Sequence, residues 1–511
     1  MCKILDMSIQ FPSYYSFNPF KVENSDLPPR ENPSRVNEQV QVLVDTIAAE
    51  RLPAIALDDF RHQFKKLVEA SSAFEEKATF PVKHNRIQSF ATTEELQRQV
   101  VEHAKATKPL LHKKVISLIH DFLSYKKRHG SQKEKTLYEK MTAEQFIDRL
   151  LKKRPLAFLG ASDQYLLPGG FFGIGDFETI GTDNEQGELI LENCLSYDEM
   201  AISALLVVSV PTHFFNNGDW SRQPHPGKFG SFEEKGVFVG LVGPRFEKPG
   251  VMEWKHILIT PAQNTTENGY GKAADPTILK PFAKFYGQGE DFYFPSYDEA
   301  QKDPQRYASL DDDTFLNVEV YKQRIRMSVE PFLLDANVRA QEQKKQAYIH
   351  AVGLGLGVWG RTPKQRTVMA RLMLEVYDDI IADNDLKYIS DIDFSHFPLN
   401  IEGYGRPSGK HVINIHFSSR NTADKLCGED AGKLLVAQYA WDGNSFPGNE
   451  YWLGNVGTTS DPVAMACSTL SELQNPNINP SVCGQNVHIA DLHGIFSLAS
   501  SYQSCIVPSV M

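Results

Sequence analysis

Residues 347–381, AYIHAVGLGLGVWGRTPKQRTVMARLMLEVYDDII, pass from an apolar strand through a run of glycines into an amphipathic helix that opens at Pro363. Glycine lets the backbone approach a ligand closely and leaves N–H groups free to meet it, and a helix N-terminus favours negative charge. The guest such a turn suits is a diphosphate. Its candidate contacts are Gly353, Leu354, Gly355, Leu356, Gly357 and Val358. The same residues also read as a tight strand-to-helix turn with no ligand. A Rossmann dinucleotide site fits poorly: its third glycine would come later, and the acid expected at the end of the next strand falls inside the helix as Glu375.

Working outward, short apolar runs separated by glycine predict strands at 156–161, 236–244, 255–262, 388–397, 411–417 and 433–441. Helical stretches are expected at 196–208 and 363–381. Strands alternating with helices predict an α/β fold with a mixed or parallel sheet flanked by helices. Before Pro155 the texture differs. Residues 37–151 repeat apolar positions at three- and four-residue intervals and predict a helical N-terminal domain, with a capping box at Thr142 to Gln145. Residues 1–36, rich in Pro, Asn and Ser, read as an extended arm, and 152–511 as the catalytic or binding domain.

Two further loops carry polar chemistry. Gly169 and Gly170 follow the 156–161 strand, and Asp198 and Glu199 open the helix after them, where carboxylates suit the helix dipole with or without a ligand. The denser cluster is 440–452, AWDGNSFPGNEYW, at the end of an apolar strand, with Asp461 opening the helix beyond it. Loops at strand ends that combine acids, amides and rings are where α/β proteins place ligand chemistry. Asp442 and Glu450 are the candidate catalytic acids, joined through a Pro-Gly turn, and Asn444, Ser445, Asn449 and Asp461 are candidate ligand contacts. An Asx turn built on Asp442 and Asn444 is the alternative.

Composition removes several classes. The net charge of −11 over 511 residues has no concentrated basic face, so no nucleic-acid partner is expected. The Lys/Arg-rich stretch from Lys126 to Arg154 is interleaved with Glu134, Glu139, Glu144 and Asp148 and reads as a solvated helical face. The six cysteines form no CxxC pair, which predicts free thiols in a reducing, cytoplasmic setting. The longest apolar run, Ala201 to Val210, is about half a bilayer crossing, so no membrane partner is expected. His411 and His416, like His488 and His493, stand five residues apart and so on opposite strand faces, which predicts no metal. HExxH, GxSxG and Walker patterns are missing from the sequence.

Taken in order, a strand, a Gly-Gly loop, an acid pair opening a helix, and a strand leading to a glycine-rich loop and long helix are distantly similar to poly(ADP-ribose) glycohydrolase-type macrodomains. The segments LENCLSYDEMAISALL, GVFVGLVGPRFEKPGVMEW, AYIHAVGLGLGVWG and AQYAWDGNSFPGNEYWLG more closely resemble the family of the Legionella effector MavL and its eukaryotic relatives. The resemblance spans roughly residues 154–470. It implies a macrodomain-like sheet, ADP-ribose as ligand without a further cofactor, and hydrolysis of ADP-ribose from arginine on a modified protein, notably ubiquitin. LPGGFF stands where that distant group has three glycines, and Tyr197-Asp198-Glu199 where it has Gln-Glu-Glu. The departures shift the expected chemistry to Asp442 and Glu450, one to orient ribose or water and the other to move the proton, in either assignment. An ADP-ribose reader without turnover, or a scaffolding protein, would share the fold but not the chemistry.

Overall fold

A ten-stranded mixed sheet organises the molecule. The computed structural model describes residues 57–498 apart from 221–223, 288–290, 361, 399–403, 409–410, 459 and 492–493; the expected arm at 1–36 lies outside the described residues. In chain order its strands are β1 (Lys108–His112), β2 (Val207–His213), β3 (Lys235–Leu241), β4 (Ala347–Ala351), β5 (Ile389–Ser395), β6 (Tyr404–Ser408), β7 (His411–Ser418), β8 (Leu434–Ala440), β9 (His488–Asp491) and β10 (Gly494–Ser497). Across the sheet they run β6-β7-β5-β4-β8-β3-β2-β1-β9-β10. The central block β7-β5-β4-β8-β3 is parallel throughout, with Ile349 opposite both Ile392 and Val436, and Val436 in turn opposite Val237. β2 is antiparallel to β3 and to β1, β1 is parallel to β9, and both outer strands are antiparallel.

Central parallel strands are buried on both faces, and β8 shows it: Leu434 to Tyr439 are all buried. Two long helices supply much of the cover. Pro363–Asp383 starts where expected, with Thr362 capping Gln365 N at 3.1 Å and proline at its first turn. Val318–Glu342 escapes sequence reading because its buried residues occur on every side of the helix, polar ones included. Among them Asp335 accepts from Ser209 of β2 and Arg339 at 2.5 and 2.6 Å, and Arg324 reaches Glu253 at 3.0 Å.

Several expectations are corrected. The 156–161 strand forms as Ala157–Leu159, in a separate three-stranded sheet with Gln164–Leu166 and Phe172–Ile174. The 255–262 strand is instead a turn of helix, Trp254–Ile257, followed by Leu258–Ile259 in another small sheet. The 196–208 helix stops at Ser203, and its apolar tail enters β2.

The helices expected over 37–151 are present from Leu57 onward, yet they do not stand apart as a domain. Lys108–His112 is a strand inside the large sheet, and residues 55–511 form one compact unit. Side chains seal the join. Glu472, fully buried, accepts from Ser71 Oγ and Ile87 N and pairs with Arg86, and Asn85 Nδ2 donates to the carbonyls of Met465 and Ser468 at 2.8 Å. The basic stretch is likewise only partly a solvated face: Lys126 is buried against Glu134 (2.6 Å) and Asp198 (2.9 Å), and Arg154 is buried too.

Candidate functional site

Three parallel neighbours, β4, β8 and β3, end on one edge of the sheet, so the loops that follow them meet there. The glycine-rich loop leaves β4, residues 441–454 leave β8, and 242–248 leave β3. Their approach is close. A Cβ on Gly243 would lie 2.3 Å from Gly355 N, and one on Gly443 would lie 2.6 Å from Val242 Cγ2. Only glycine fits either place.

The β8 loop is held by its own acids. Asp442 Oδ1 accepts from Asn444 N (3.1 Å) and Asn444 Nδ2 (3.2 Å), and Oδ2 accepts from Asn449 Nδ2 (3.0 Å). The Asx turn is therefore present, and it carries a buried carboxylate with it. Asp461 bridges the loop, accepting from Asp442 N at 3.2 Å and Gly448 N at 2.6 Å. Ser445 Oγ donates to Asp442 O at 2.9 Å. Asn449 Oδ1 takes Phe158 N at 2.8 Å, which ties the loop to the small sheet. Trp441 lies under the guanidinium of Arg154, 4.3 Å from the ring centre, and Arg154 bonds Ser203 Oγ, which donates to Gly443 O.

From β3 comes a cation. Arg245, almost wholly buried, lies 4.4 Å over the Phe158 ring and bonds Gly160 O (2.9 Å) and Glu247 (2.8 Å), with Asp163 at 3.6 Å. Behind it Arg324 donates to Val242 O at 3.0 Å and so fixes the root of the loop. Burial pushes Asp442 up to about 7; Glu247 and Glu450 add to the rise, while Arg245 and Asn444 N–H oppose it. Asp461 is pushed well up by burial and by Glu450 and Asp442, and Glu450 is raised by burial and by Glu247. A buried carboxylate with three further acids around it and Arg245 beside it is equipped to hold a cation and to move a proton.

The glycine loop turns with Gly355 at φ +69°, its backbone against Pro244. Leu354 and Leu356 are buried anchors, whereas Val358 is 73% exposed and Gly357 faces open space. The loop's backbone hydrogen bonds among the described residues are Leu356 N to Gly353 O (3.4 Å) and Gly360 N to Gly357 O (3.2 Å).

The remaining expected contacts go elsewhere. Glu199 caps its helix with Ser196 and pairs with Arg149 at 2.6 Å. Asp198 pairs with Lys126 and Lys255; burial alone would raise it, but the two ammonium groups hold it well below the usual carboxylate range. Both acids are thus occupied by cations rather than gathered with Asp442. Gly169 and Gly170 form the exposed turn between Gln164–Leu166 and Phe172–Ile174, both at positive φ, with Gly169 N bonded to Lys77 O at 3.0 Å. Sequence reasoning passed over Arg245 and Glu247. The signal was there: an Arg and a Glu two apart directly after an apolar strand and a Gly-Pro break. Among the described residues no group of three His, Cys, Asp or Glu is placed to hold a metal ion, and no helix is long and apolar enough to cross a membrane.

Comparison with known proteins places the chain in a family. The family description "ADP-ribosylhydrolase MavL-like" matches residues 65–504. The ADP-ribosylarginine hydrolase CG2909 of Drosophila melanogaster is 36% identical over 446 residues, covering 83% of this chain and 87% of the fly protein. The fly ADP-ribosylarginine hydrolase CG3568 is 37% identical over 444 residues, 82% and 84% of the two chains.

Proposed function

We propose the reaction from one premise: this chain belongs to the MavL-like ADP-ribosylhydrolase family, and it removes ADP-ribose from arginine. The observation that supports a catalytic rather than a binding role is the acid cluster of buried Asp442 and Asp461 with half-buried Glu450 and Glu247 beside Arg245, at the edge where the β3, β4 and β8 loops meet.

In this reading ADP-ribose lies along the strand ends. Its diphosphate meets the backbone of Gly353 to Val358 at the end of β4, and the distal ribose with its arginine lies over the β8 and β3 loops. The adenosine extends the other way, past β5. Asp442, fixed by three donors, sits beside C1″ as a carboxylate and stabilises the positive charge that develops as the C1″–N bond breaks. Glu450, whose carboxylate no side chain bonds among the described residues, takes the proton from the attacking water and delivers it to the departing guanidine. Water oxygen joins C1″; free ADP-ribose and arginine result. Asp461 positions the loop through Asp442 N and Gly448 N.

The finer assignments extend from the same resemblance: a macrodomain-type sheet, ubiquitin as one modified protein, and a cytoplasmic setting, supported by the lack of paired cysteine motifs. Incubation with an arginine-ADP-ribosylated protein should release ADP-ribose. Tight binding of ADP-ribose with no release from any such protein would reduce the molecule to a reader.

A further inference from the structure

The small sheet beside the site has two unlike faces. On the inner face Phe158, Tyr165 and Phe177 pack edge to face, at 4.7 and 5.2 Å, with Arg245 against Phe158. Gly173 is on that side, where a Cβ would lie 2.3 Å from Tyr165 Oη, so the ring takes the space of a side chain. The register Leu159↔Gln164↔Ile174 and Ala157↔Leu166↔Phe172 puts Leu159, Leu166, Phe172 and Ile174 together on the outer face. Phe172 is 54% exposed and Ile174 58%, while Phe171 at the turn is 49% exposed. Among the described residues Phe172–Ile174 is also the edge strand of this sheet. A large apolar pair on an open strand edge is what a folded protein avoids unless the edge has a partner.

We infer that this edge docks an extended segment of the polypeptide that carries the modified arginine, adding a strand beside Phe172–Ile174 with apolar side chains against Phe172 and Ile174. The inference rests on the hydrolase reading above. Continuity with the site fixes the occupant. Phe158 N is bonded to Asn449, and Asn449 to Asp442, so the sheet begins at the acid that holds C1″, and two inter-strand spacings of about 4.8 Å each carry the apolar edge only about 10 Å further. A polypeptide leaving the site through its arginine side chain must run over such a rim. Asp176, exposed, follows the edge strand and gives the apolar patch an acidic margin suited to an arginine-bearing segment, while Glu178 beyond it is paired with Lys248 at 3.4 Å.

The test compares two substrates of the intact protein: arginine-ADP-ribosylated protein and ADP-ribosylated agmatine, which has no polypeptide. Phe172→Ser with Ile174→Ser should raise KM for the protein substrate about tenfold or more and leave kcat/KM for agmatine unchanged. Equal loss on both substrates, or no loss on either, overturns the inference. The single variants Phe172→Gln and Ile174→Gln, at exposed positions, repeat the test should the double variant fold poorly. A wild-type dimer in solution that these variants dissociate would assign the edge to a second copy and overturn it too. Failure of the wild-type protein on both substrates would strike the hydrolase reading instead.

Discussion

Burial sets how Asp442 ionises, and Arg245, a buried cation beside it, counters the rise. In the proposed reaction Asp442 works as a carboxylate, so activity should fall as pH drops through about 7, where burial places its titration. Arg245 opposes that rise. Arg245→Met should therefore move the acidic limb of the kcat/KM profile to higher pH, whereas Arg245→Lys, keeping the charge, should move it less. A limb that stays in place in Arg245→Met would show that Asp442 does not set it. Glu450→Gln should lower kcat by roughly 100- to 10,000-fold, the range of a general acid or base, with ADP-ribose affinity retained in calorimetry. Asp442→Ala should cost as much, and more in fold, since Asn444 and Asn449 lose their acceptor. At this scale the sequence shows the acids of 440–452 by their crowding. It does not show that Asp198 and Glu199 are spoken for, because their partners Lys126 and Arg149 stand 72 and 50 residues earlier.

Among the elements, the loop after β4 is the most exacting. Gly355 sits at φ +69° with Pro244 O 3.1 Å from where a Cβ would be, so valine there meets both backbone strain and a neighbour that is itself backbone. Strain of about 1–2 kcal/mol, expressed in the loop rather than the core, corresponds to roughly tenfold weaker ADP-ribose binding. Calorimetry on a Gly355→Val variant with unchanged thermal unfolding checks it; unaltered affinity would remove the loop from the binding site. The strand-glycine-helix order was legible because period and composition change sharply within fifteen residues. Val318–Glu342 was not, since a helix buried on every side carries no stripe, and Pro331 within it argues against a helix at all. β1 was hidden for another reason. Its five residues, KPLLH, share the three- and four-residue spacing of the helix that follows and read as its first turn until their partners, 97 and more residues away, are known.

For the molecule as a whole, the position of β1 decides what can be removed. A chain beginning near residue 152 would lose a strand from inside the sheet, baring the edges of β2 and β9, and would strand the buried Glu472 without Arg86, Ser71 and Ile87 N. Breaking one buried charge pair from one side costs about 3–5 kcal/mol, a large part of a usual folding stability. Such a truncation should be insoluble or show no cooperative melting by circular dichroism; a soluble, ADP-ribose-binding product would mean that the helical segment is a separate domain after all. The pairing of β1 with β9 also sets a timetable. Lys113, directly after β1, bonds Asp491, 378 residues later. At about 5–20 residues per second on the ribosome, β1 waits roughly 20 to 75 s for its neighbour to be made. Through that interval Leu110 and Leu111, buried in the finished sheet, can be covered only by the part of the molecule already made, beginning with β2, whose Val207 follows Leu110 by 97 residues.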